Sequence, residues 1–205
     1  VRSMSTVVLS FTTASQAGGG TQSWSNLSGA YGSNTSTPAT VSGPASFWAS
    51  EILTLGGVSA GSLPAGAVVD GIELQGTVWS LNGGPADFDS AILTINGHAS
   101  ADQASALDTG HPVYSLTPQA VSVGGVSSTP TGLSAITATD LNSGSITFAL
   151  ELSANESGSD TLKTCSWQLL ITYHVIGIDD FPPGQGTSSP GALVILQAVN
   201  RAGTY

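Results

Sequence analysis

Hydrophobic and small polar residues alternate in short runs along most of this chain, and Gly, Pro, Asn and Ser bound the runs. Period-two alternation between turn formers marks half-buried β-strands. It predicts strands over Thr6–Phe11, Glu51–Leu55, Val68–Ser80, Ser90–Ile95, Ala120–Val123, Ser145–Leu152, Cys165–Val175 and Ala192–Val199. In Ser145–Leu152, the residues Ile146, Phe148, Leu150 and Leu152 share one face, and Thr147, Ala149 and Glu151 share the other. One face therefore meets a core and the other meets water. Cys165–Val175 repeats the pattern, with Cys165, Trp167, Leu169, Ile171 and Tyr173 on one side. No window sustains a helical period, and the strong helix formers Lys, Arg, Glu and Met are scarce. About eight strands separated by Gly/Ser/Pro turns predict an all-β fold, an antiparallel β-sandwich of jelly-roll-like form.

Three segments depart from this pattern. Gln16–Gly43 reads as a long Gly/Ser/Thr/Asn loop pinned by Trp24, Leu27 and Tyr31, and Asp102–Pro118 as a second long connection. Loops of this length are usually functional or held by a partner. The third is the tail. Residues 1–176 make up the expected sandwich domain, and residues 177–205 a Pro/Gly linker containing Phe181, followed by an extended arm with Leu193, Ile195 and Leu196. A linker plus one detached strand reads either as an arm that pairs with another subunit or as a strand folded back onto its own sheet edge. The N-terminal strand, with Val7, Leu9 and Phe11, is read as the second assembly arm.

Charge narrows the function classes. The chain of 205 residues has 13 acidic and 3 basic side chains, for a formal charge of −10. Nucleic-acid binding needs clustered Lys and Arg, whereas Arg2, Lys163 and Arg201 are scattered, and an acidic membrane surface would repel the chain. No stretch is long and apolar enough for a membrane helix, and nothing at the start reads as a signal peptide. With Cys165 the sole cysteine, stability has to come from packing or assembly and not from an internal disulfide. Beside Trp167, Cys165 reads as a small buried hydrophobe.

Candidate chemistry is sparse. Gly57-Val58-Ser59-Ala60-Gly61 spells a nucleophile elbow, but no helix can start after it. His98, His111 and His174 lack ligand-spaced partners, and His174 reads as a sheet histidine with its bond satisfied. No cofactor is expected. The one metal reading is Ca²⁺ held by Asp87 and Asp89, set against solvated loop carboxylates. Trp24, Tyr31 and Trp48 lie outside the strongest strands and are the candidates for ligand or receptor contact, a flat ring being suited to stacking on a sugar, with loop anchoring as the alternative.

Together, Trp24-Ser25-Asn26, Ala39-Thr40, Glu51–Leu55, Leu63–Leu74, Asp89–Leu93, Ile146–Leu150 and Gln168–His174 resemble the strand-and-turn pattern of a β-sandwich virion structural protein of tailed bacteriophages, over about residues 20–176. Leu27 departs from that pattern, which has proline there. The resemblance implies a non-enzymatic component of the virion's outer surface, on capsid or tail, with no catalytic residue to carry over. Its implied role is a capsid decoration or cement protein, a homotrimer or cluster that holds the major capsid protein and neighbouring subunits through its arms. A tail-tip or fibre protein binding a host glycan is one alternative. A carbohydrate-binding module or surface-filament subunit is another.

Overall fold

The computed structural model describes residues 3–59, 63–133, 135–155 and 159–176. Among these, eleven strands form: β1 (Ser5–Gly19), β2 (Trp24–Ser25), β3 (Ala39–Gly43), β4 (Phe47–Ala49), β5 (Glu51–Ser59), β6 (Ala67–Ser80), β7 (Ala86–Ile95), β8 (His98–Ala99), β9 (Gln119–Gly124), β10 (Ile146–Asn155) and β11 (Asp160–Val175). Two short helices, α1 (Ala104–Leu107) and α2 (Ala138–Asn142), cover the ends.

The strands form an antiparallel β-sandwich, as the alternation predicts. In the first layer β11 pairs with β6 along Leu162–Val175, and β6 pairs in turn with β9. The other side of β11 carries β3 at Asp160–Thr164 and β1 at Gln168–Tyr173. In the second layer β5 pairs with β10, β10 with β7 and β7 with β8. The long strand β1 joins the layers: Ser5–Ser10 pairs with β11, and Ser10–Gly19 pairs with β5.

The apolar faces meet between the layers. Trp167 of β11 lies against Phe148 of β10, with ring centroids 4.6 Å apart. Ile146, Phe148, Leu150 and Leu152 are all buried, as the alternation requires. Room for the Trp167 indole comes from Gly76 on the neighbouring strand, where a Cβ would lie 2.3 Å from the ring. Burying the indole N–H would be costly without an acceptor. It donates to Thr164 Oγ1 at 2.6 Å, and that hydroxyl donates to the Thr77 carbonyl at 3.0 Å.

The expected N-terminal arm is corrected by this layout. Leu9 and Phe11 are core residues, Val7 is packed against the core, and β1 is hydrogen-bonded to two strands of its own chain. Leu9 and Phe11 are buried, and Val7 half-buried, by the domain itself. The expected loop Gln16–Gly43 is corrected too, since it contains the end of β1 together with β2 and β3. Phe181, Leu193, Ile195 and Leu196, and with them the expected strand Ala192–Val199, lie outside the described residues.

Helix α2 starts in a reciprocal cap. Asp140 N–H donates to Thr137 Oγ1 at 3.3 Å, and Thr137 N–H donates to Asp140 Oδ2 at 2.9 Å. Hydrogen bonds from Thr137 and then Asn96 hold the Asp140 carboxyl well below its usual range, at about 2. A depressed carboxylate stabilises the fold above its ordinary value of 3.8, and the contribution is lost as pH falls towards 2. Thr137→Ala is expected to cost about 1 kcal/mol. It should also flatten the loss of stability between those two pH values, as read from urea melts across the range.

Candidate functional site

The outer face of the first layer carries a row of neutral polar side chains set by strand register. Gln168 of β11 lies opposite Gln75 of β6, and Gln75 lies opposite Ser122 of β9. Neighbouring strands are about 4.8 Å apart, so the row crosses about 10 Å of sheet. It faces outwards because Leu74, Gly76 and Leu169, its neighbours along the strands, face the core.

A β-bulge opens the sheet beside this row. The register of β11 against β6 shifts between Cys165 and Gln168, and Ser166 there takes the left-handed conformation at φ 61°. That is uncommon for a residue with a Cβ, and bulges recur where a side chain is re-aimed. The Ser166 N–H is secured by the Gly32 carbonyl at 2.9 Å. The result is a cleft of about 330 Å³ lined by Gln75, Thr77, Ala120, Ser122, Ser166 and Gln168, with backbone from Gly76 and Val121. A second cleft, of about 290 Å³, adjoins it at Ser122 and runs past Ser128 and Thr131 to Gln103.

No charged side chain lines either cleft, on a protein of net charge −10. Among the described residues, the side chains of Gln75, Thr77, Ser122 and Gln168 make no hydrogen bond within the protein. Each amide offers donors and an acceptor, and each hydroxyl offers both. The surface therefore suits a neutral ligand rich in hydroxyl groups, and it has no charge with which to hold an ion.

The ligand-contact candidates from the sequence are placed elsewhere. Trp24 and Trp48 are only 4% and 3% exposed. The Trp24 indole donates to the Glu51 carbonyl at 2.7 Å, while Trp48 packs on Gly43, where a Cβ would lie 2.2 Å from its ring. Tyr31 is partly buried against the same core. Loop anchoring is thus the observed role of both tryptophans, and neither ring is available for stacking. The expectation of a surface platform came from their position outside strong strand patterns, yet β2 and β4 are real strands too short to alternate.

Asp87 and Asp89 do not converge. Asp89 Oδ1 accepts from Ser153 Oγ at 2.7 Å. Asp87 instead joins Asp108 and His111, whose ligand atoms lie within 4.8 Å of one another. His111 Nδ1 is 3.3 Å from Asp108 Oδ2 and 3.7 Å from Asp87 Oδ1, and its ring stacks on Tyr114 at 4.7 Å. Burial, and then the Asp87 charge, pushes the Asp108 carboxyl up, with His111 opposing. Burial pushes the Tyr114 hydroxyl up as well, and both carboxylates add to it. Two carboxylates and one imidazole nitrogen do not make the six- to eight-oxygen set that calcium prefers, so the donors here do not fit the Ca²⁺ reading.

The remaining candidates are structural. His174 is buried, with Nδ1 2.9 Å from both carboxylate oxygens of Asp70, and Cys165 is buried in the core. The nucleophile-elbow spelling runs along the end of β5, and its Ala60 and Gly61 lie outside the described residues.

No protein-family model and no curated protein matches this chain. A solved structure titled "CBM4 structure and function" is similar over 66% of this chain and 84% of its own, at 17% identity and a TM-score of 0.36.

Proposed function

We propose that this β-sandwich is a non-catalytic binding module for a neutral polyhydroxylated chain, a glycan, held along the Gln168–Gln75–Ser122 row. The observation that carries the reading is that row: side chains in direct cross-strand register, without internal hydrogen bonds, bordering a cleft free of charge. Vicinal hydroxyls of a sugar pair with an amide's donor and acceptor together, and each neutral bond contributes about 1 kcal/mol net. No aromatic ring lines the clefts, so affinity rests on these polar contacts. The Gln75→Ala, Gln168→Ala double variant is expected to weaken binding about tenfold, the equivalent of about 1.4 kcal/mol, with its melting temperature unchanged. The test is a glycan-array screen followed by chemical-shift titration of the selected glycan. Absence of any bound glycan, or equal affinity of the double variant, overturns the reading.

A second reading places the protein on the outside of a virion as a structural component, the expectation raised by the resemblance. One observation favours it: the exposed apolar side chains Met4, Val8, Val68, Val175 and Ile176 lie around one end and one edge of the first layer, where a neighbouring subunit would bury them. Antibody-gold labelling of particles from its source tests it. Label over heads or tails supports the reading, and particles without label discard it.

A further inference from the structure

Asp87, Asp108 and His111 belong to three separate elements and meet beside the sheet. Asp87 is the second residue of β7, Asp108 follows the last residue of α1, and His111 leads into the 3-10 turn Pro112–Tyr114. Strand register aims the first of them: Ala86 and Phe88 are buried on either side of it, so Asp87 points away from the core. A turn aims the other two. The His111 N–H donates to the Asp108 carbonyl at 2.9 Å, and the two side chains approach to 3.3 Å. The His111 ring is held in plane by Tyr114, stacked on it at 4.7 Å.

The spacing of these groups selects a small cation. Zinc sits about 2.1 Å from an imidazole nitrogen or a carboxylate oxygen, so neighbouring ligand atoms of a tetrahedral site are about 3.4 Å apart. His111 Nδ1 lies 3.3 Å from Asp108 Oδ2 and 3.7 Å from Asp87 Oδ1, and all three ligand atoms lie within 4.8 Å of one another. Two edges of the triangle thus have the tetrahedral length, and the half-exposed Asp87 side chain can turn to close the third. An independent observation concerns the other oxygen of Asp108. Its Oδ1 is shut off from solvent and accepts no hydrogen bond, a costly state for a carboxylate that also faces a second carboxylate. A cation between the two carboxylates offsets both costs. The imidazole decides which cation: calcium and magnesium take oxygen ligands, whereas imidazole nitrogen with carboxylate suits zinc. The side chains of Asp87 and His111 are 51% and 59% exposed, so the ion can enter from solvent and keep a water as its fourth ligand.

We infer that Asp87, Asp108 and His111 form a zinc site, completed by water, that ties the connection Asp102–Pro118 to the start of β7. The ion neutralises the facing carboxylates and fixes the turn that carries Asp108 and His111. The glycan reading is not needed for it, and its failure would leave that reading untouched.

The test uses the full chain without an affinity tag, stripped with EDTA and titrated with zinc chloride at neutral pH in a calorimeter. One zinc per chain is expected, bound at least tenfold more tightly than calcium or magnesium. The melting temperature should rise by at least about 5 °C at a free zinc concentration of about 100 times Kd. His111→Ala and Asp87→Asn change side chains that are more than half exposed, so both variants should fold, and each should weaken zinc binding at least tenfold. His98→Ala, outside the cluster, should bind as the wild type does. Imidazole nitrogen shifts in NMR locate the ion: zinc should move those of His111 and leave those of His98 and His174 in place. Absence of saturable zinc binding overturns the proposal and leaves the three groups as an ion-pair cluster. Equal affinity of His111→Ala, or calcium bound as tightly as zinc, overturns it as well, since scattered surface carboxylates would then account for the binding.

Discussion

Trp167→Ala is expected to lower the unfolding free energy by about 3–5 kcal/mol, the range for truncating a fully buried large aromatic residue. Three losses combine. The indole is fully buried and packs against Phe148 with the two rings tilted, so its removal empties the space between the layers at the point where both strands face the core. Its N–H no longer reaches Thr164 Oγ1, which leaves that buried hydroxyl with only its bond to Thr77. Collapse cannot fill the gap cheaply, because opposite the ring stands Gly76, which has no side chain to move in. Trp167→Phe keeps most of the volume and is expected to cost about 1–2 kcal/mol through the lost hydrogen bond and imperfect filling. Gly76→Ala brings a Cβ to 2.3 Å from the indole and should itself be destabilising in the wild type. The same change should cost less in the Trp167→Ala background, so the double-mutant cycle has a non-zero coupling. Urea unfolding of the four proteins measures all of this. A Trp167→Ala cost below about 1 kcal/mol, or additive effects at the two sites, would show that the ring does not occupy the space assigned to it.

The same residue links core to surface. Ser166 and Gln168 flank Trp167 in sequence and point the other way, into the cleft, while Gly76 contributes its backbone to the cleft floor and its open space to the indole. If the proposed glycan row is right, its affinity should therefore fall in Trp167→Ala more than in Trp167→Phe, although neither change touches the lining side chains.

What was legible in the sequence follows from what strands require. Alternation located β6, β7, β10 and β11 and assigned the faces of β10 correctly, because large apolar side chains must share one face to reach the core. It missed β3, Ala39–Gly43, although Ala39, Val41 and Gly43 do alternate inward. Their side chains are too small to stand out, and burial there is set by Trp48 packing over Gly43. Helix α2 announced itself only by Thr137 and Asp140 at capping-box spacing, a signal hidden in a chain so rich in Ser and Thr. The polar row proposed for binding was not legible at all. Ser122, Gln75 and Gln168 are unremarkable residues on three strands, and only the register of β9, β6 and β11 aligns them. The aromatic residues, by contrast, drew attention in the sequence because they are conspicuous, and they proved to be needed inside.

Asp160→Ala is expected to cost about 3 kcal/mol through a buried acceptor that no hydrophobic pattern would reveal. Asp160 opens β11 and is 1% exposed. Its Oδ2 accepts from Ser80 Oγ at 2.7 Å, and its Oδ1 accepts from the N–H groups of Thr161 at 2.6 Å and Asn82 at 3.1 Å. Ser80 Oγ accepts in turn from Asn82 N–H at 3.0 Å and Gly83 N–H at 2.7 Å. One carboxylate thus satisfies the turn that takes the chain from β6 in the first layer towards β7 in the second, with no cation needed beside it. Removing it leaves the buried Ser80 hydroxyl and the part-buried Thr161 N–H without this acceptor, while Asn82 N–H keeps Ser80 Oγ, and each orphaned buried group costs about 1–3 kcal/mol before relaxation. Asp160→Asn keeps the shape and one oxygen but turns an NH₂ group towards the donors, so it should fall between wild type and alanine, near 1–2 kcal/mol. Ser80→Ala removes the second acceptor and should couple strongly to Asp160→Ala, since the two share Asn82 as a donor. Urea melts at neutral pH give the three values. If alanine and asparagine both lie within about 0.5 kcal/mol of wild type, the turn is held by something other than this carboxylate. If the order holds, the crossing between the layers depends on a polar knot, as the space between them depends on Trp167.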